Sequence, residues 1–253
     1  GLSRVAKRSF SSSYLNGFGG VTHGDAAYAH PLARGVVGTG LLYFNAGAVG
    51  LNLSDGTKRT VTSEEDLAWT LSYAAPLAYG FSVGATYRFL RMELAETASA
   101  TAHLGDVGAQ WRTPVKGLSL GAAYQNAGQD IVFEEAGDPP PRTFRYGAAL
   151  RFPDIDAARI DPTVDLVAFD MTVAGDVVQT LFEKPTQRAG IELGLTPSLM
   201  SRVALRFGFV FNRFSEGLTL GAGFKSGRFS FDYGHGDAKD MKGLSNATFS
   251  MEF

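Results

Sequence analysis

The chain has 253 residues, a formal net charge of -2 and no cysteine, so disulfides and thiolate metal sites are excluded and no basic surplus points to nucleic acid. Glycine is abundant at 31 residues and aromatic side chains make up 12%. Mean hydropathy is near zero, and no run of about 18 apolar residues exists to cross a bilayer as a helix.

That last absence leaves a membrane barrel open, because strands with one greasy and one wet face average to neutral hydropathy. The first residues, "GLSRVAKRSF", carry no apolar signal core, so the chain is expected to begin after a lost segment. Alternation then predicts about fourteen strands, at 5–18, 24–31, 35–45, 64–75, 80–92, 101–113, 117–126, 142–152, 162–173, 187–196, 202–212, 217–225, 228–235 and 244–253. The pattern is weak in the first two and in "VDLVAFDMT", where both faces are partly apolar.

Elsewhere it is regular. "TFRYGAALRF" sets Phe144, Tyr146, Ala148, Leu150 and Phe152 against Arg145, Gly147, Ala149 and Arg151. "SRVALRFGFVF" sets Val203, Leu205, Phe207, Phe209 and Phe211 against Arg202, Ala204, Arg206 and Gly208. The chain ends on "SNATFSMEF", which presents Phe249, Met251 and Phe253 on one side. Short connections ("PLARG", "APLAYG", "TPVKG", "TPSLM", "KSG") alternate with longer ones around 45–65, 126–142 and 173–187, and "RFPDIDAARIDPT" is a long member of the short set. Short turns on one side, longer loops on the other and a C-terminal aromatic imply an all-β fold: a closed antiparallel transmembrane β-barrel, residues 1–253 forming one outer-membrane domain.

The polar face places Arg88, Asp106, Arg112, Arg145, Arg151, Glu192, Arg206 and Asp232 in the lumen, either selecting a solute or pairing with one another. Ile131, Val132 and Phe133 in one long loop, and Val177, Val178, Leu181 and Phe182 in another, are apolar clusters where water is expected, so they are candidate partner-binding residues. His23, Asp25, His235 and Asp237 fall in two "HGD" tips that adjoin on closure; polar Gly-rich tips produce such repeats by chance, and no metal site or cofactor is assigned. No nucleophile elbow, carboxylate dyad or phosphate loop stands in a context that would let it act, so no enzyme is expected.

The order "DLAWTLSYAAPL", "GFSVGATYRFLRMEL", "LGDVGAQWRTPVKGLSLGAAYQNAG", "RYGAALRF" and "LTLGAGFKSGRFSFDYGHG" resembles the PorV/PorQ family, within the superfamily of long-chain fatty-acid transporters (FadL). Members typically carry an "NPA" motif followed by Gly-Leu, and this chain opens on Gly1-Leu2 as though just after it, so an N-terminal hatch is expected to be missing. The resemblance implies an accessory subunit of type IX secretion or another envelope complex. Its partners would be outer-membrane lipid and a translocon barrel or the C-terminal domain of an exported cargo. The alternative it implies is a FadL-like transporter of hydrophobic solutes, which leave through a gap in the wall.

Overall fold

In the computed structural model the described residues are 1–52, 56–152, 168–198, 200–212, 217–238 and 241–253. They form β1 (Ser9–Asn16), β2 (Thr22–Leu32), β3 (Gly35–Asn45), β4 (Ala48–Asn52), β5 (Lys58–Thr62), β6 (Glu64–Pro76), β7 (Phe81–Leu94), β8 (Ala98–Arg112), β9 (Leu118–Gly128), β10 (Ile131–Val132), β11 (Gly137–Asp138), β12 (Thr143–Arg151), β13 (Ala168–Thr180), β14 (Thr186–Ser198), β15 (Ser201–Phe211), β16 (Gly217–Ser226), β17 (Phe229–Ala238) and β18 (Met241–Glu252). Fourteen of them close a barrel in the order β1-β18-β17-β16-β15-β14-β13-β12-β9-β8-β7-β6-β3-β2, and β4-β5 and β10-β11 are hairpins within loops. Every wall pairing is antiparallel, and β1 meets β18 with Ser9 opposite Glu252. Closure leaves no edge with unpaired backbone, which is the condition for strands to stand in lipid.

Alternation decides which side chain meets which solvent. Along β6 the outward Leu67, Trp69, Leu71 and Tyr73 are exposed, while the inward Ala68 and Ala74 are buried. The outer surface is therefore a continuous band of Leu, Val, Phe, Tyr and Trp, whose exposure is tolerable against hydrocarbon rather than water. Both chain ends and the short turns share one rim, taken as periplasmic by that pattern.

Thirteen of the expected strands lie within a few residues of their observed bounds. The exception is β13, expected at 162–173 and observed at Ala168–Thr180; residues 162–167 lie outside the described set. Its inward row Asp170, Thr172, Ala174, Asp176 alternates with Phe169, Met171, Val173, Gly175 and Val177. Gly175 interrupts the apolar row and Asp176 reads as a loop residue, which hides the strand. The long loop expected at 173–187 shrinks to Leu181–Pro185, and most of the stretch "RFPDIDAARIDPT" lies outside the described residues.

The inner face is not polar throughout. Towards the extracellular rim Ala100, Ala102 and Leu104 of β8 are buried together with Ala68. Here β10 packs against β8, and the loops bury Val61 and Pro140. Much of the buried apolar core among the described residues thus sits inside the barrel beneath its extracellular loops, with Val36, Ala74 and Ala204 buried nearer the periplasmic rim.

Candidate functional site

Two structures divide the lumen. The first is an ionic ladder in the periplasmic half of β13–β17. Arg202 reaches Asp170 and Glu192, both at 2.8 Å. Arg206 reaches Glu192 at 2.7 Å and Asp232 at 2.5 Å. Arg151 stands 4.0 Å from Asp170, and Lys225 pairs with Glu252 at 2.6 Å. Asp170 is only 4% exposed, a burial that a carboxylate survives only with such partners. Gly194 and Gly223 let the ladder pass close to the wall: a Cβ at Gly194 would collide with Asp170 and Arg202, and one at Gly223 with Asp232.

Nearer the opposite side, Arg88 donates to Asp106 at 3.0 Å and to Asn126 Oδ1 at 2.6 Å. Asn126 occupies a bulge where the β8–β9 register shifts between Gly105 and Val107. Its φ of 59° puts a non-glycine residue in the left-handed region. Its N–H donates to Asp106 at 2.7 Å and its amide to the Pro141 carbonyl at 3.0 Å, so the bulge is tied both to the lumen and to the loop above. Arg145 is paired with Asp176. The lumen residues expected from alternation are therefore all on the inner face and mostly pair with one another. Arg112, by contrast, forms no ion pair among the described residues. Sequence reasoning missed Asp170, Asp176 and Arg188; the first two belong to the misjudged strand, although Asp170, Thr172 and Asp176 share the spacing of an inward row.

The second structure is a cavity of about 770 Å³ under β6–β9 and β12–β14. Small side chains line it, among them Ser72, Ala74, Gly84, Gly108 and Ala123, with Arg145, Asp176 and Arg188 at one pole. Residues 1–3 close its floor: Leu2–Arg4 form a single 3-10 turn, and Gly1 donates to Gln110 Oε1 at 3.1 Å. The first residues of the chain thus sit in the lumen.

On the outer surface of the same wall lies a trough of about 590 Å³, bounded by Tyr73, Val83, Val107, Tyr124 and Phe144 and floored by Ala75, Ala85, Ala109 and Ala122. Cavity and trough lie back to back and share Gly84, Gly108 and Ala123. Along these three residues little more than backbone separates lumen from membrane.

The loop candidates separate. Ile131 and Phe133 are half-buried against the mouth, while Val132 is exposed. Val177 and Val178 are wall residues of β13, opposite Tyr146 and Arg145, and not loop residues at all. Leu181 and Phe182 do form an extracellular turn, with Phe182 89% exposed at φ 66°. Alternation places His23 and Asp25 inward and His235 and Asp237 outward, so the two "HGD" tips do not converge. Among the described residues no group of three or more such ligands forms.

No protein-family model matches the sequence, and no curated protein matches it. Solved structures do. The Ralstonia pickettii toluene transporter TbuX superposes with a TM-score of 0.62 at 13% identity, over 98% of this chain and 90% of its own. The P. putida toluene transporter TodX gives 0.62 at 8% identity, over 98% and 90%. The monoaromatic hydrocarbon channel CymD gives 0.60 at 10%, over 97% and 88%. These are described as transporters and a channel, and at such low identity the likeness is one of barrel fold. The chain is a multi-pass β-barrel of the bacterial outer membrane, built to the architecture that these hydrocarbon transporters share.

Proposed function

We propose that this barrel passes small hydrophobic solutes from the outside into the membrane through its wall, and the carrying observation is the lumen cavity set back to back with the outer trough. The axial route is obstructed at the periplasmic end by the ionic ladder and by residues 1–4, so an apolar molecule in the cavity has its thinnest barrier sideways, at Gly84, Gly108 and Ala123. The similar structures are described as carrying toluene and monoaromatic hydrocarbons, and a ring of that size suits a cavity of about 770 Å³. The bulge at Asn126, just above, gives this part of the wall an irregular register in which strands can part at low cost.

The structures compared above are described as transporters and a channel and do not support the secretion-accessory reading implied by the sequence resemblance, and its loop candidates Val177 and Val178 lie in the wall. The test is uptake of radiolabelled toluene by proteoliposomes carrying the barrel, compared with Gly108→Leu and Ala123→Leu. A fall of about tenfold in both, with unchanged folding, is expected, since each fills the thin wall with about 100 Å² of side chain. Uptake equal to protein-free vesicles in the unaltered barrel would overturn the proposal.

A further inference from the structure

One side of the lumen cavity is a shelf between two charged rows. Ala174, Gly190 and Gly208 stand opposite one another on β13, β14 and β15, and all three line the cavity. Two residues along each strand towards the periplasm, Thr172, Glu192 and Arg206 are aligned in the same way and carry part of the ionic ladder. Two residues towards the outside, the row is Asp176, Arg188 and Val210. At about 3.3 Å per residue the charged rows stand about 13 Å apart, a gap that holds a single ring. A Cβ at Gly208 would strike the Thr219 hydroxyl, so the shelf stays bare.

The outer row has a donor to spare. Arg145 is held by Asp176, to which its Nε donates at 2.7 Å. Arg188 lies directly opposite the same carboxylate, yet it makes no hydrogen bond or ion pair among the described residues. Its neighbour on the other side, Val210, has no side-chain acceptor to offer. A bare hydrocarbon on the shelf would strip water from this guanidinium and give it nothing in exchange. A ring bearing an oxygen accepts from it instead. Charge decides which oxygen. Among the described residues the extracellular loops carry Glu96, Asp130, Glu134, Glu135, Asp138 and Glu183 against Lys58, Arg59, Arg142 and Lys184. An anion meets that surplus of acid before it reaches the cavity, whereas a neutral hydroxyl or carbonyl does not.

We infer that Arg188 makes the cavity selective for neutral oxygenated monoaromatics (phenols, aryl aldehydes and ketones) over the bare ring. The oxygen accepts from Arg188 and the ring lies on Ala174, Gly190 and Gly208. This rests on the proposed passage of small hydrophobic solutes and names the class within it.

The experiment is equilibrium dialysis of radiolabelled phenol, toluene and benzoate against proteoliposomes carrying the barrel, each solute referred to its partition into protein-free vesicles. Phenol is expected to be retained about tenfold more strongly than toluene, the gain of one hydrogen bond to a charged group. Arg188→Met should bring phenol down to the level of toluene, while Ala174→Leu, which fills the shelf, should lower both about tenfold. A phenol preference that survives Arg188→Met would overturn the role of Arg188, as when its guanidinium closes onto Asp176, whose Oδ1 lacks a partner. Should that variant not fold, the unaltered barrel decides: phenol held no better than toluene overturns the selectivity, and benzoate held better than phenol overturns the neutral class. The readout is retention and not uptake. A barrel that holds both rings equally can still pass toluene through its wall, and one that prefers phenol can fail to pass either.

Discussion

Arg206 stands between Glu192 and Asp232, with one guanidinium bonding carboxylates from β14 and β17 at 2.7 and 2.5 Å. A single cation thus spans three of the strands that close the periplasmic half of the lumen. Arg206→Met leaves two carboxylates facing each other and is expected to cost about 1–3 kcal/mol, between the surface-pair and buried-pair ranges because all three groups keep partial contact with water. The midpoint of heat-modifiable migration measures it, and an unchanged midpoint would show the ladder to be inert. Single-channel recordings in planar bilayers should also show ion conductance in the variant above that of the parent.

Asn126 separates two causes of strain. Asn126→Gly keeps the left-handed backbone and the N–H bond to Asp106 but loses the bond to Arg88. Asn126→Ala loses that bond and must also hold a Cβ at φ 59°. The alanine variant is therefore expected to be less stable than the glycine variant by about 1 kcal/mol. Equal urea midpoints for the two would show that the bulge relaxes.

The β4–β5 hairpin is pinned by Glu96, which accepts from the Thr62 N–H at 3.0 Å and from Arg59 at 3.0 Å. The Thr62 hydrogen bond, with help from Arg59, holds the Glu96 carboxyl below its usual range. Since the folded value lies below the unfolded one, this contribution is present above the unfolded value near 4.5 and disappears as pH falls through the folded one. Protection factors for hydrogen exchange across 58–62, relative to the intrinsic rate at each pH, should fall on acidification below that range. Glu96→Gln should raise exchange at neutral pH and flatten the response. A hairpin equally protected at pH 7 and pH 3 would refute the pin.

Gly194→Ala pushes a methyl into Asp170 and Arg202. Strand alternation alone would permit it, since alanine is common on inner faces. We expect a loss of about 2 kcal/mol, in the range for overpacking. Its partial rescue by Asp170→Ala would identify the collision as the cause.

The barrel was legible because its rule is local: residues two apart share a face, and Phe229, Phe231 and Tyr233 can be read without knowing what they touch. Where a small residue interrupts the outward row, as at Gly175, and a charged one beside it, Asp176, reads as loop, the rule loses the strand and the lumen residues on it. The partners of Arg88 and Arg206 could not be read, because pairing depends on register across strands far apart in sequence. The apolar upper lumen was hidden for another reason. Ala100, Ala102 and Leu104 alternate with Thr101 and His103, and the His103 ring faces outward, bonded to the Tyr87 hydroxyl at 2.6 Å. There the greasy and wet faces are exchanged relative to the rest of the wall. Cavity and trough were invisible for a related reason, since alanine and glycine say nothing of which surface is hollow.

The seam between β1 and β18 joins the first strand to the last, and the Phe253 N–H donates to the Arg8 carbonyl at 2.8 Å. No other pairing in the wall spans so much of the chain. Its loop-closure entropy is overcome only when everything between is already in place. Closure therefore waits on β18: without it, β1 keeps an open edge along Ser9–Asn16, sticky to other strands and unfit for lipid.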